Sequence, residues 1–181
     1  MDIYKIRSAE GYEFVNSSNQ VTRSVFRTFN GKARKCDWKP VSVKLVSSDR
    51  GIIFKHSDFF YIGAAPLIMR KRAVEALIEI WNTNGEILPL DEESGEALYI
   101  FNSQCIDALD EIHSDITRFK SSGRIMKINS YIFDKENLKG CDIFHLPGSP
   151  HIIYVSQQFV NLVEAKGLKG IEFIHIWQST H

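Results

Sequence analysis

Ile152-Ile-Tyr-Val-Ser-Gln-Gln-Phe-Val-Asn-Leu-Val-Glu-Ala-Lys-Gly-Leu-Lys-Gly-Ile-Glu-Phe-Ile-His-Ile-Trp177 closes the chain, and its pattern decides the fold class. Ser156 is a good N-cap, because its hydroxyl can accept from N–H groups left open in a first helical turn. Phe159, Leu162 and Val163 follow at helical spacing and make one apolar face. Gly167 can take the left-handed conformation that ends a helix, with Leu168 as the hydrophobic residue behind it. After Gly170 the period changes to two, which predicts a strand with Ile171, Phe173, His175 and Trp177 on one face. The segment therefore predicts a strand, a capped helix, a glycine stop and a second strand. None of these residues is placed for chemistry.

Working outward, the same reading extends to the whole chain. From Met1 to Ile62 the signals are strand and turn: Ile3–Ile6, Val41–Val46, Ile52–Phe54 and Phe59–Ile62 are short, β-branched or aromatic, and bounded by polar clusters. Asn16 to Lys35 reads as a long loop or a frayed element. Arg70 to Trp81 predicts one helix, with Val74, Leu77, Ile78 and Trp81 as its apolar stripe and Lys71 paired with Glu75. Asn84-Gly85 ends it. Ile87–Leu90 reads as extended, Leu98–Phe101 as a strand, Ile106–Ile112 as a short helix, and Ile125–Phe133 and Cys141–Leu146 as strands. The expected class is α+β. A β-rich region over residues 1–63 precedes strand–helix units over residues 64–181, in one compact domain spanning 1–181. Shifted by 85 positions, Val74, Leu77 and Ile78 fall on Phe159, Leu162 and Val163. A duplication produces such an echo, and so do two unrelated units obeying the same capping rules.

Bulk properties narrow the function classes. A chain of 181 residues with 44% hydrophobic residues can bury a sizeable core. Lys plus Arg equals Asp plus Glu, so no global charge draws the protein to nucleic acid or anionic lipid. Cys36, Cys105 and Cys141 are far apart with no C-x-x-C, against a disulfide framework or a cysteine zinc site. No signal-peptide pattern and no membrane-spanning run is present, which predicts a cytoplasmic protein.

The six histidines, His56, His113, His145, His151, His175 and His181, match no zinc spacing, so no metal and no cofactor is expected. No Gly-x-Ser-x-Gly elbow, Walker motif or G-x-G-x-x-G occurs. Cys141 and His145 are neighbours in sequence and are the one candidate pair for nucleophilic chemistry; a buried structural cysteine is the plainer reading.

Charge patterning says more. Val21 to Arg50 holds eight basic residues against Asp37 and Asp49, and Glu86 to Asp115 holds nine acidic residues and no Lys or Arg. Three readings follow: solvated faces that neutralise each other, an acidic surface that meets a basic partner, or contact of the basic stretch, with Phe26, Phe29 and Trp38 interleaved, with nucleic acid. The neutral whole and the lack of a recognised motif disfavour the third. Asp91, Glu92, Glu93, Glu96, Asp107, Asp110 and Glu111 are the candidates for the acidic surface. Trp81 and Trp177 read as core anchors, and Trp38 as an exposed aromatic contact.

An ordered series of short matches carries a resemblance. It runs from Asp58-Phe59 and Pro66-Leu67 through Tyr99–Asn102, Ile106-Asp107, Leu109-Asp110 and Ser114. It continues with Asp142-Ile143-Phe144 and Leu146, then Ile153–Ser156, Gly167–Gly170 and Phe173–Trp177. This series resembles the immunity protein 11 family, bacterial proteins encoded beside polymorphic toxins. The resemblance implies a protein that binds and neutralises a cognate toxin, such as a nuclease, encoded by a neighbouring gene. It implies no enzyme activity, no cofactor and cytoplasmic residence. Against it stand a binding or adaptor module of another kind and an enzyme using Cys141 and His145. Nucleic acid and membrane are not expected as partners.

Overall fold

In the computed structural model, which describes residues 1–61 and 66–179, the chain forms fifteen strands and four helices. In chain order they are β1 (Asp2–Ser8), β2 (Phe14–Ser17), α1 (Gln20–Phe26), β3 (Ser42–Val46), β4 (Ser48–Asp49), β5 (Ile52–Ile53), β6 (Phe59–Phe60) and β7 (Ile68–Arg70). There follow α2 (Lys71–Ala76), α3 (Ile78–Asn84), β8 (Gly85–Pro89), β9 (Asp91–Glu92), β10 (Leu98–Cys105), β11 (Asp115–Arg118) and β12 (Ile125–Ser130). The chain ends with β13 (Ile143–His145), β14 (Tyr154–Ser156), α4 (Gln157–Ala165) and β15 (Ile171–Gln178). The fold is α+β, as the sequence pattern predicts.

The closing segment forms as its residues dictate. Ser156 Oγ accepts from Phe159 N at 3.2 Å and caps α4. At the other end Leu168 N donates to Val163 O at 3.0 Å, Gly167 N to Glu164 O at 2.9 Å, and Gly167 has φ 60°. This is a Schellman stop, and it turns the chain back toward the sheet. One expectation is corrected: Trp177 does not share a face with Phe173. The register of β15 against β1 slips between Ile3 and Tyr4, which leaves Ile176 as an extra residue and turns Trp177 to the opposite side.

β14 and β15 do not pair with each other. β1, from the far end of the chain, lies between them antiparallel to both, with Lys5 opposite Tyr154 on one edge and Ile174 on the other. β7 and β8 flank β10 in the same way, with Ile100 opposite Ile68 and Leu88. From Ile68 to Leu88 and from Tyr154 to Ile174 the crossover spans the same number of residues, so the two strand registers correspond at an offset of 86. At that offset buried Ala73 and Leu77 fall on buried Phe159 and Val163. The offset of 85 read from side-chain character alone is therefore one residue short.

The strands assemble in the order β15-β1-β14-β13-β10-β7-β6, with β8 also on β10. Alternation sends Phe59, Met69, Phe101, Ile143 and Val155 to one face, under Leu77, Trp81, Phe159 and Val163 of the helices. Phe60, Ile68, Leu88 and Ile100 point the other way, against Val15, Phe26, Phe29 and Val43 from β2, α1 and β3. Ile3, Phe144, Tyr154 and Trp177 pack beside them against Tyr131, Phe133 and Leu138. The sheet is buried on both faces at its central strands β7, β10, β13 and β14, so these read as apolar runs rather than clean alternations.

Three further expectations change. Asn16–Lys35 is not a loop throughout: Asn19 Oδ1 accepts from Thr22 N at 2.9 Å and starts α1, which buries Thr22 and Phe26. The single helix over Arg70–Trp81 is two helices meeting at Leu77, with φ −126°. Trp81 Nε1 donates to Ala73 O at 3.1 Å and takes the carbonyl that the Leu77 N–H would use in an unbroken helix, leaving Ile78 exposed. Ile106–Ile112 is not a helix: Leu109 bridges Phe133 in an extended stretch, and from Glu111 the chain turns, with the Asp110 carboxylate accepting from Ile112 N and His113 N. Ile62, the end of one predicted strand, lies outside the described residues.

Gly170 sits where the turn before β15 meets the chain before β6. Its φ is 108°, and a Cβ there would overlap Ser57 Oγ and Phe59 O. Gly170→Ala is expected to cost ~3 kcal/mol in urea unfolding. Gly123→Ala, with positive φ but open space around it, is expected to cost only ~1 kcal/mol. Equal losses would refute the close-approach explanation.

Candidate interaction surface

The seven acidic candidates do not form one patch. Asp91, Glu92, Glu93 and Glu96 precede β10, while Asp107, Asp110 and Glu111 follow it. An eight-residue strand separates the two groups by ~23 Å. Glu92 is buried and has an internal task. Burial opposes its ionisation, but hydrogen bonds from the Ser94 hydroxyl and from Leu45, Ser94 and Glu96 N–H groups outweigh it and hold the carboxyl below its usual range. Glu93 accepts from Ser18 Oγ and lies 3.8 Å from Lys44, so part of the basic segment is neutralised here. Glu86 binds the same segment through its backbone, accepting from Arg34 N and Lys35 N.

Glu96 is exposed but reaches a buried guanidinium, Arg70, that sequence reading missed. Arg70 donates from Nε to Ser57 O, from Nη1 to Glu96 and from Nη2 to Glu13, all within 3.0 Å, with its guanidinium over the Phe60 ring. A charged residue at a predicted helix start gives no sign that it caps nothing and points into a core. At the far group, the His113 side chain is the main influence on Asp110, whose carboxyl it holds below the usual range. Glu111 pairs with Arg118. Asp91 and Asp107 are exposed.

Trp38 is half-buried rather than fully exposed. Its ring packs edge-on against Phe29, 5.6 Å between centroids, and its Nε1 donates to Pro89 O at 2.8 Å. The aromatic packs partly buried against the edge of the core because Phe29 offers a face and Pro89 a carbonyl. Trp81 and Trp177 are buried as expected.

Cys141 and His145 have separate partners. Cys141 Sγ faces the Asn137 and Lys139 carbonyls, and burial followed by Asp142 pushes its thiol upward, away from the reactive thiolate. His145 is buried with Nδ1 2.9 Å from Ser103 Oγ. Burial drives its pKa down to about 4, against a smaller opposing hydrogen bond to Ser103. His56 faces Glu13 and His175 faces Asp2, and the Tyr61 hydroxyl donates to His151 O. His181 lies outside the described residues. Among the described residues no three His, Cys, Asp or Glu side chains converge as a metal site.

One concavity stands apart from the charged groups. α4 crosses β14 and β1 and leaves a groove of about 670 Å³ over β15, lined by Tyr4, Val160, Val163, Leu168, Ile171 and Phe173. The Tyr4 hydroxyl donates to Gln157 Oε1 at its mouth. No helix among the described residues is long and apolar enough to cross a membrane.

With this geometry in hand, the comparison that decides kinship is with the Immunity protein family (Imm11), whose model matches residues 86–178. The chain belongs to this family. The match begins in β8, later than the resemblance read from Asp58, and ends with β15. It includes both acidic groups, the groove-forming α4 and β15, and His145. It leaves out β1, on which β14 and β15 depend. No curated protein matches the chain.

His145 gives a pH prediction. Its folded pKa is about 4 against an ordinary 6.5, so the unfolded chain takes up the proton first. Stability is therefore full above about 6.5 and falls as pH drops toward 4. His145→Gln, which keeps an acceptor for Ser103 but cannot titrate, is expected to lose less stability across that window in urea unfolding. Parallel pH profiles for the two proteins would show that His145 stays ionisable in the fold.

Proposed function

We propose that the protein binds and neutralises a cognate toxin by stoichiometric association, without turnover. Membership of the Immunity protein family carries this reading. Neutralisation by binding needs a lasting complex, and sub-nanomolar affinity corresponds to about 12 kcal/mol of standard free energy. Such affinity comes from a few desolvated anchors, with charge setting how fast partners meet. The toxin is encoded by a neighbouring gene, and a basic toxin such as a nuclease suits the acidic groups. The two exposed pairs, Asp91 with Glu93 and Asp107 with Glu111, are the residues proposed to steer it. Glu92 and Asp110 hold local structure, and Glu96 shares Arg70.

Co-expression is the test. The chain is expected to rescue cells from the neighbouring gene's product and to co-purify with it one to one. Rescue without a complex would replace binding by an enzymatic antidote.

The steering residues have their own test. Reversing either exposed pair to Lys is expected to slow association about 10-fold at low ionic strength, with the effect fading as salt is raised. Unaltered association rates for both reversals, in folded protein, would remove the acidic groups from the interface.

A further inference from the structure

We propose that the outer edge of β15 accepts an extended strand of the toxin, added to the sheet beside Ile171–His175. This rests on the toxin-binding reading above. The direction of each backbone group follows from the ladder. Ala9 N donates to Gly170 O at 3.0 Å, whereas Ile6 N donates to Ile153 O on the other side of β1. With Lys5 opposite Ile174 and Arg7 opposite Glu172, the amides of Glu172 and Ile174 point at β1. Those of Ile171, Phe173 and His175 point away from it. Among the described residues no strand pairs with that outer edge.

Sheet edges of this kind are normally protected by Pro, by Lys or by shortness. β15 is eight residues long and carries no Pro, Lys or Arg. Its one carboxylate, Glu172, is held by Arg7 at 2.6 Å. Ile174 is 39% exposed on its underside. The bulge at Ile176 twists only the far end. At the opposite side of the sheet, β6 is two residues long and both are buried.

The groove specifies the occupant. Residues that offer outward amides, Ile171 and Phe173, also form the groove wall beneath Val160, Val163 and Leu168. A strand laid on this edge gains backbone hydrogen bonds, and every second side chain faces a trough with apolar walls from Val160, Val163, Ile171 and Phe173 and polar groups from Gln157, Glu164 and Lys169. The lining carries the carboxylates Glu164 and Glu172 and the ammonium Lys169, and Glu172 is paired with Arg7, so charge does not select the ligand. The occupant is an extended, alternately apolar protein segment.

Amide exchange by NMR tests this in the free chain and in its complex with the co-expressed toxin. In the free chain Glu172 and Ile174 are expected to exchange at least about 100-fold more slowly than Ile171, Phe173 and His175. In the complex the latter three become protected as well. His175→Pro removes an outward amide together with the imidazole that meets Asp2 and Tyr4, at an exposed position where an edge strand tolerates proline, and His175→Ala removes the imidazole alone. The proline variant is expected to weaken toxin binding about 100-fold, while His175→Ala binds like wild type. A complex that leaves the three amides open overturns the edge site and spares the toxin-binding reading. Protection that rises with concentration in the free chain assigns the edge to a second copy and overturns the proposal. A chain that forms no complex with the toxin overturns both.

Discussion

β1 holds the sheet together. It is the first strand of the chain, and it separates the two strands of the last strand–helix–strand unit. Without it β14 and β15 have no partner to share, and α4 has no continuous surface to cover. Closing this arrangement brings Met1 to Ser179, whose N–H donates to the Met1 carbonyl at 2.8 Å. The entropy of closing a loop that spans nearly the whole chain must be offset by the strands it joins. Ile3 and Ile6 supply that burial on opposite faces, one against Trp177 and one against the helix-side core.

The second unit repeats the device around β10, and the two are locked together at one junction. Asp58, before β6, is fully buried. Its carboxylate accepts from Arg72 at the start of α2 and from Lys169 N before β15, and its own N–H donates to Lys169 O. Gly170 has no side chain because Ser57 and Phe59 occupy that space. Arg70 extends the junction to Glu13 and Glu96. The Arg72 guanidinium and the Lys169 amide both meet Asp58 Oδ2 and offset its burial, while Oδ1 is buried without a hydrogen-bond partner. These contacts fix the turn that delivers β15 to the sheet margin, and with it the groove under α4.

The candidate surface was less legible than the scaffold. The acidic run from Glu86 to Asp115 is one stretch of sequence, yet β10 passes through its middle and carries the two halves to opposite ends. Glu92 reads like its neighbours, but only the fold shows that four donors surround it. Trp38 looks exposed among Lys35, Asp37 and Lys39 until Phe29 and Pro89 are brought beneath it. Burial and pairing of polar groups depend on residues far away in the chain, and no local pattern encodes them. The groove over β15 was invisible for the same reason, since its walls come from β1, α4 and β15.

What the sequence by itself determined is local. Ser156 caps a helix, Gly167 stops it, and period-two residues after Gly170 make a strand, because these outcomes depend on φ, ψ and the nearest few residues. The α+β class and the family series were legible on that basis. The tertiary structure alone decided the rest: β1 between β14 and β15, the break at Leu77 forced by the Trp81 indole, and the bulge that turns Trp177 over. Each is settled by competition between groups for one carbonyl, one edge or one face, and that competition is decided only once the chain is folded.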